Sequence, residues 1–212
     1  MKRVTLFCGH YGSGKTNLAV NYAFYIKNSG KDVVIADLDI VNPYFRTKDS
    51  EKELLEAGIE VISLPFANSS VDLPSLPSES YSIFQQRSKY AVVDIGGDDR
   101  GAYALGRFVP LIKEENNYDM FFVANFFRPL TRNAEEAYEV MGEIENACNL
   151  KFTGIINNSN LGEETTCENV ISTKVFADRL SEISGLPVVM TSAEKSIAKD
   201  GMFPLDLQKK YF

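Results

Sequence analysis

Residues 4–23 read VTLFCGHYGSGKTNLAVNYA, and this stretch decides the fold. Val4–Cys8 is a short, continuous apolar run, the form taken by a strand buried on both faces. Gly9-His10-Tyr11-Gly12-Ser13-Gly14-Lys15-Thr16 then meets the spacing G-x-x-x-x-G-K-[ST] at every required position, and a helical pattern follows from Thr16. Strand, glycine-rich turn and helix in that order are the context this motif requires. Glycines at 9, 12 and 14 let the backbone curl so that successive N–H groups point inward as an anion nest. The helix that opens near Lys15 adds its positive dipole end. Lys15 is expected to contact the β- and γ-phosphates of a nucleoside triphosphate, with the Thr16 hydroxyl on Mg²⁺. His10, Tyr11, Ser13 and Asn17 are expected to belong to the same nucleotide contact.

Outward from this segment, apolar runs alternate with helical patterns. Strands are expected at Arg3–Cys8, Val33–Asp37, Glu60–Leu64, Ala91–Asp94, Met120–Ala124, Phe152–Ile156 and Val188–Thr191. Helices are expected at Thr16–Asn28, Asp49–Ala57, Arg100–Glu115, Thr131–Cys148 and Glu168–Ser184, with Gly30 and Gly58 as stops and Thr131 as an N-cap. Such alternation predicts right-handed crossovers and an α/β fold: a three-layer, doubly wound, mostly parallel sheet of the P-loop NTPase type. Residues 65–80 break the rhythm with Pro65, Pro74, Pro77 and many serines, which predicts an irregular surface excursion. No repeat or linker divides the chain, so 1–212 is expected to be one nucleotide-binding domain.

A phosphate loop needs carboxylates downstream. In VVIADLDIVNPYFR, Asp37 and Asp39 fall at the carboxyl end of the second strand, where ligands of open α/β sheets bind. One can serve the Mg²⁺ shell and the other can orient the attacking water. In YAVVDIGGDDRG, four apolar or aromatic residues run into Asp94, the form of a Walker B strand whose carboxylate holds Mg²⁺. Asp94-Ile95-Gly96-Gly97 also reads as DxxG, in which the Gly97 N–H can bond the γ-phosphate and sense hydrolysis.

The 212 residues include 22 Lys and Arg against 29 Asp and Glu, a net charge of −7. That balance argues against nonspecific binding to nucleic acid or to anionic membranes, which works through clustered positive charge. No apolar run reaches the ~18 residues of a membrane span, and the opening MKRVTLFCGHYG is unlike a secretory signal. Cys8, Cys148 and Cys167 lack C-x-x-C spacing, so neither a disulfide framework nor a zinc or iron–sulfur site is expected. These features predict a reduced, cytoplasmic domain. His10 is the one histidine, with only Cys8 near it, so no metal site is expected there.

The P-loop, the DLD after the second strand, Asp94 and the late segment TGIINN together resemble the CobQ/CobB/MinD/ParA group of P-loop ATPases. The resemblance covers nearly the whole chain. It implies that Asp39 supports hydrolysis, that Asn157, ending a late strand, recognises adenine, and that ATP with Mg²⁺ is the ligand. It also implies an ATP-bridged homodimer acting as a switch on a protein partner, by analogy an assembling metallo- or redox enzyme. One departure is His10. The group's signature lysine follows the first glycine and reaches across the dimer to the partner's nucleotide. A histidine there is shorter and carries no permanent charge. The loop GHYGSGKT looks equally like maturation-type GTPases, which also lack that lysine. Those read guanine through N-K-x-D; aligned on Asn157 this chain gives Asn157-Asn158-Ser159-Asn160, a neutral amide where the carboxylate belongs, which favours ATP.

An ATP-dependent small-molecule enzyme of the dethiobiotin-synthetase or CobB type is the alternative, as is a binding protein that does not hydrolyse. Arg46, Arg100, Arg107 and Arg128 are candidates for charge stabilisation at the γ-phosphate, with Arg100 favoured for its place beside the Asp94–Gly97 turn. The acidic helix around Glu135–Glu145 reads as a solvated face, and the tail FPLDLQKKYF as docking on its own domain.

Overall fold

The computed structural model describes residues 1–38, 50–63, 78–85, 87–97 and 99–207. Its strands are β1 (Val4–Cys8), β2 (Val33–Leu38), β3 (Glu60–Ser63), β4 (Tyr90–Ile95), β5 (Tyr118–Ala124), β6 (Gly154–Asn157), β7 (Val188–Glu194) and β8 (Phe203–Leu205). They form one sheet of eight in the order β3-β2-β4-β1-β5-β6-β7-β8. Every neighbouring pair is parallel. The P-loop strand β1 therefore lies in the interior of the sheet, between β4 and β5.

Helices cover both faces: α1 (Lys15–Asn28), α2 (Glu51–Glu56), α3 (Ser78–Gln85), α4 (Asp99–Gly106), α5 (Val109–Glu115), α6 (Ala134–Cys148), α7 (Cys167–Ser172) and α8 (Lys174–Ser184). Alternation along the strands divides the core in two. Val4, Leu6, Val34, Ala36, Val93, Phe122 and Ile155 pack against α3–α6 and α8. Phe7, Val33, Ile35, Val92, Val123 and Ile156 pack against α1 and α2. Among the described residues, no helix is long and apolar enough to cross a membrane.

All seven expected strands form, and an eighth, β8, closes one end of the sheet. It is clamped to α1: the Asp206 N–H donates to Asn21 Oδ1 at 2.8 Å, and Asn21 Nδ2 donates to the Asp206 carbonyl at 3.0 Å. Phe203 also meets Tyr25 edge to face. Two expected helices are each split. Pro110 starts α5 afresh, because its ring cannot continue a helix through Arg107 and Phe108. Thr173 separates α7 from α8, its hydroxyl turned back onto the Val170 carbonyl at 2.7 Å. The cap of α6 is Asn133, which accepts the Glu136 N–H at 2.8 Å, and not Thr131, whose hydroxyl donates to the Asn125 carbonyl instead. Helix α3 begins inside the expected 65–80 excursion; 64–77 lie outside the described residues.

Candidate functional site: the phosphate loop and its carboxylates

The turn from β1 into α1 is shaped by positions only glycine fits. A Cβ on Gly9, where φ is +156°, would lie 2.4 Å from the Val123 carbonyl oxygen of β5. Gly14, at φ +84°, caps α1, and a Cβ there would lie 2.5 Å from Asn158 Nδ2. Ser13 donates its N–H to the His10 carbonyl at 3.2 Å, closing the loop, and the His10 ring donates from Nδ1 to the Tyr11 carbonyl at 3.1 Å. Tyr11 stands half out of the surface and Asn17 is half-buried on the first turn of α1. Lys15 is 5% exposed and folds back across the loop, its Nζ donating to the His10 carbonyl at 3.3 Å.

The carboxylates reach this loop through strand register. Asp94 of β4 pairs in register with Phe7 of β1 on one side and Asp37 of β2 on the other. Both acids continue the residues that pack on α1, so both side chains are on the P-loop's face of the sheet. The Thr16 hydroxyl donates to Asp94 Oδ2 at 2.5 Å, with Thr16, Asp37 and Asp94 all buried. A hydroxyl and two carboxylates, oxygen donors throughout, fit a hard ion such as Mg²⁺, which typically takes one or two carboxylates and completes its shell with phosphate and water. The β4–α4 turn presses on the loop. A Cβ on Gly97 would come within 2.7 Å of the Tyr11 nitrogen and 3.0 Å of Lys15 Nζ. Asp39 and Arg46 lie outside the described residues, as does the side chain of Arg100. Beneath the loop, burial pushes the Cys8 thiol well up, with Cys148 and Asp94 adding to the rise and Lys15 opposing it.

At the late strands the residue tied to the P-loop is the neighbour of Asn157. Asn157 is 1% exposed and its amide is engaged away from the loop. Its Nδ2 donates to Thr173 Oγ1 at 2.9 Å, and its Oδ1 accepts from the Ser159 hydroxyl at 2.7 Å and N–H at 3.2 Å. The next residue reaches the P-loop: Asn158 Nδ2 donates to the Ser13 carbonyl at 2.7 Å and its Oδ1 accepts from Ser192 Oγ at 2.7 Å. Strand parity explains this. Ile155 and Asn157 face the α6–α8 layer, while Ile156 and Asn158 face α1. Asn160 folds onto its own turn, donating to the Asn158 carbonyl at 2.8 Å.

Among the four arginine candidates the sequence favours Arg100; of those whose side chains are described, Arg128 is the one beside the loop. It lies in the turn after β5, where a Cβ on Gly12 would be 3.5 Å from its Nε. Arg107 is exposed at the α4–α5 junction.

An all-parallel α/β sheet with a P-loop leaving its interior strand defines a P-loop NTPase fold. The model of the CobQ/CobB/MinD/ParA nucleotide-binding domain matches residues 6–175, and the chain belongs to this family. Solved structures share the fold at low identity. Cell division protein FtsY from Thermotoga maritima superposes with a TM-score of 0.64 at 17% identity, over 96% of this chain and 65% of that one. FtsY from Mycoplasma mycoides gives 0.58 at 15%, over 90% and 60%. Signal recognition particle receptor FtsY from Elizabethkingia anophelis, in complex with GDP, gives 0.51 at 14%, over 92% and 58%. The chain thus spans less than two thirds of the length of these structures. No protein of curated function matches the sequence.

Proposed function

We propose that this chain binds Mg·ATP and hydrolyses it slowly, using the change of nucleotide as a switch on a protein partner. The observation that carries the reading is the 2.5 Å bond from Thr16 to Asp94, formed inside a glycine-shaped loop that buries Lys15. Lys15 and the amides of Gly9–Thr16 receive the phosphates, with Asn17 on the first turn of the helix. Thr16, Asp37 and Asp94 would hold Mg²⁺, which would supply charge neutralisation for the phosphates. Asp39 orients the attacking water. The Gly97 N–H meets the γ-phosphate; because the turn already touches Tyr11 and Lys15, loss of that phosphate is transmitted to the start of α4. The Asn157–Asn160 turn receives the base, with Asn158 tying it to the loop.

The resemblance supports a protein client, by analogy a metallo- or redox enzyme under assembly, and a nucleotide-dependent homodimer. The net charge of −7 supports neither nucleic acid nor a membrane surface as partner.

Calorimetric titration with Mg·ATP, Mg·GTP and Mg·ADP tests the ligand. Tight, Mg²⁺-dependent binding of ATP over GTP is expected, with EDTA weakening it. Preference for GTP would move the chain to the GTPase reading. Asp39→Ala is expected to bind Mg·ATP and turn it over far more slowly, because positioning water acts on the transition state. A pull-down with a nonhydrolysable ATP analogue and with ADP should retain a protein in one state only. Stimulation of turnover by a small metabolite, with no captured protein, would favour the small-molecule enzyme.

A further inference from the structure

Arg128 is held over the phosphate loop by a turn with little freedom. Asn125, buried at the end of β5, accepts the N–H groups of Phe127 at 3.1 Å and Asn160 at 3.2 Å, and donates from Nδ2 to the Asn160 carbonyl at 3.1 Å. Its own carbonyl accepts the Arg128 N–H at 3.0 Å and the Thr131 hydroxyl at 2.8 Å. Ser159 takes the Phe126 N–H at 3.0 Å. Leu130 completes the turn at φ +66°, a left-handed conformation that costs a non-glycine residue about 1–2 kcal/mol. Such strain persists where the surroundings over-determine it, and it clusters at ligand clamps.

The side chain so placed lies on the loop. A Cβ on Gly12 would be 3.5 Å from Arg128 Nε and 3.9 Å from Cζ, so the guanidinium lies alongside the loop at Gly12. Arg3, Arg87, Arg132 and Arg179 each pair with a carboxylate, and Arg107 is exposed away from the loop at the α4–α5 junction. Arg128 has no ion-pair partner among the described residues, in a chain with seven more acids than bases. A planar five-donor cation left uncommitted beside an anion nest is suited to phosphate oxygens, which it can grip with two parallel bonds.

We propose that Arg128 is a phosphate-binding residue supplied by the same chain, gripping the polyphosphate from the β5 side of the loop. It provides within one subunit a permanent positive charge beside the loop. The proposal rests on the nucleotide-binding reading. It predicts that full charge compensation at the phosphates needs no second subunit.

The test uses full-length wild type, Arg128→Ala, Arg128→Lys and Lys15→Ala, measuring ATP and ADP affinity, kcat and KM, sedimentation and Tm. Arg128→Ala should keep the wild-type Tm, since the side chain is exposed, and lose about 10- to 100-fold in kcat/KM for ATP, the worth of a charge-assisted bond. ADP affinity should fall less. Arg128→Lys should recover part of the loss, and turnover per subunit should not depend on protein concentration. Arg128→Ala within twofold of wild type, while Lys15→Ala lowers triphosphate affinity about a hundredfold, would overturn the role of Arg128 and leave the P-loop reading standing. Turnover that rises steeply with concentration would likewise overturn it, by placing the missing cation in a second subunit. Lys15→Ala that binds ATP normally would instead remove the nucleotide-binding reading itself.

Discussion

Where the strands begin, Arg3 is closed in on every side. Its guanidinium pairs with Glu115 of α5, both side chains 7% exposed, and Nη1 donates to the carbonyls of Ile83 at 3.1 Å and Lys89 at 3.0 Å. Where the same strands end, Lys15 is buried as deeply, yet its ammonium rests on the neutral carbonyl of His10 at 3.3 Å. A buried charge is tolerated when it is paired and hydrogen-bonded. The Arg3 edge meets that condition from within the fold and ties α3, α5 and β4 together. The Lys15 edge leaves it to an anion from outside. One edge spends its charge on the structure, and the other keeps its charge for a ligand.

The largest effect that would sharpen this contrast is on stability. Glu115→Ala strands a buried guanidinium and should cost about 3–5 kcal/mol, read as a fall in the denaturant midpoint at an unchanged slope. Replacing Arg3 and Glu115 together by Met and Leu should restore most of it. A single mutant as stable as wild type would show that the Arg3 edge is not closed.

Lys15→Ala should act the other way round. Triphosphate affinity should fall by about a hundredfold, two charge-assisted bonds at roughly 1.5 kcal/mol each, with no drop in the ligand-free Tm. A destabilised apoprotein would mean that Lys15 serves the fold as Arg3 does. Asn158→Ala lies between the two cases. It removes the Asn158 partner of the Ser13 carbonyl and leaves the Ser192 hydroxyl only its longer bond to the Asn157 carbonyl at 3.4 Å, so about 1–3 kcal/mol should be lost, shared between Tm and nucleotide affinity. Loss in Tm alone would make Asn158 a purely structural tie.

The smallest effect concerns thiols. Burial raises Cys8 and keeps it protonated at neutral pH, so it should resist iodoacetamide while partly exposed Cys167 reacts. Peptide mapping of the alkylated protein reads this directly. Rapid labelling of Cys8 would show that the Lys15 edge opens to solvent.

The sheet was legible because its strands are continuous apolar runs separated by helical periods, a pattern with few alternatives. Phe203–Leu205 escaped notice because three residues around a proline carry no period; pairing with β7 and the clamp from Asn21 make them a strand. The breaks at Pro110 and Thr173 hide inside helical periodicity that continues across them. At the site, Lys15, Thr16, Asp37, Asp94 and Gly97 came from local motifs, and the sheet register brings them together. Asn158 could have been found by counting parity along Gly154–Asn157, since it continues the face of Ile156. Arg128 could not. Its approach to Gly12 depends on a turn fixed by Asn125, Ser159 and Asn160, residues as far as 35 positions apart in the chain.

The Asn21–Asp206 clamp makes α1 a lever with two fixed points. Its first turn is the phosphate loop, and its flank is bolted to β8 by a pair of bonds at 2.8 and 3.0 Å and by the Tyr25–Phe203 ring contact. Any tilt of the helix as the loop closes must be absorbed at that bolt. The amides of Phe203, Leu205 and Asp206, on the far rim of the sheet, should therefore serve as a remote gauge of occupancy, readable by hydrogen exchange or by a fluorophore without touching the phosphate loop.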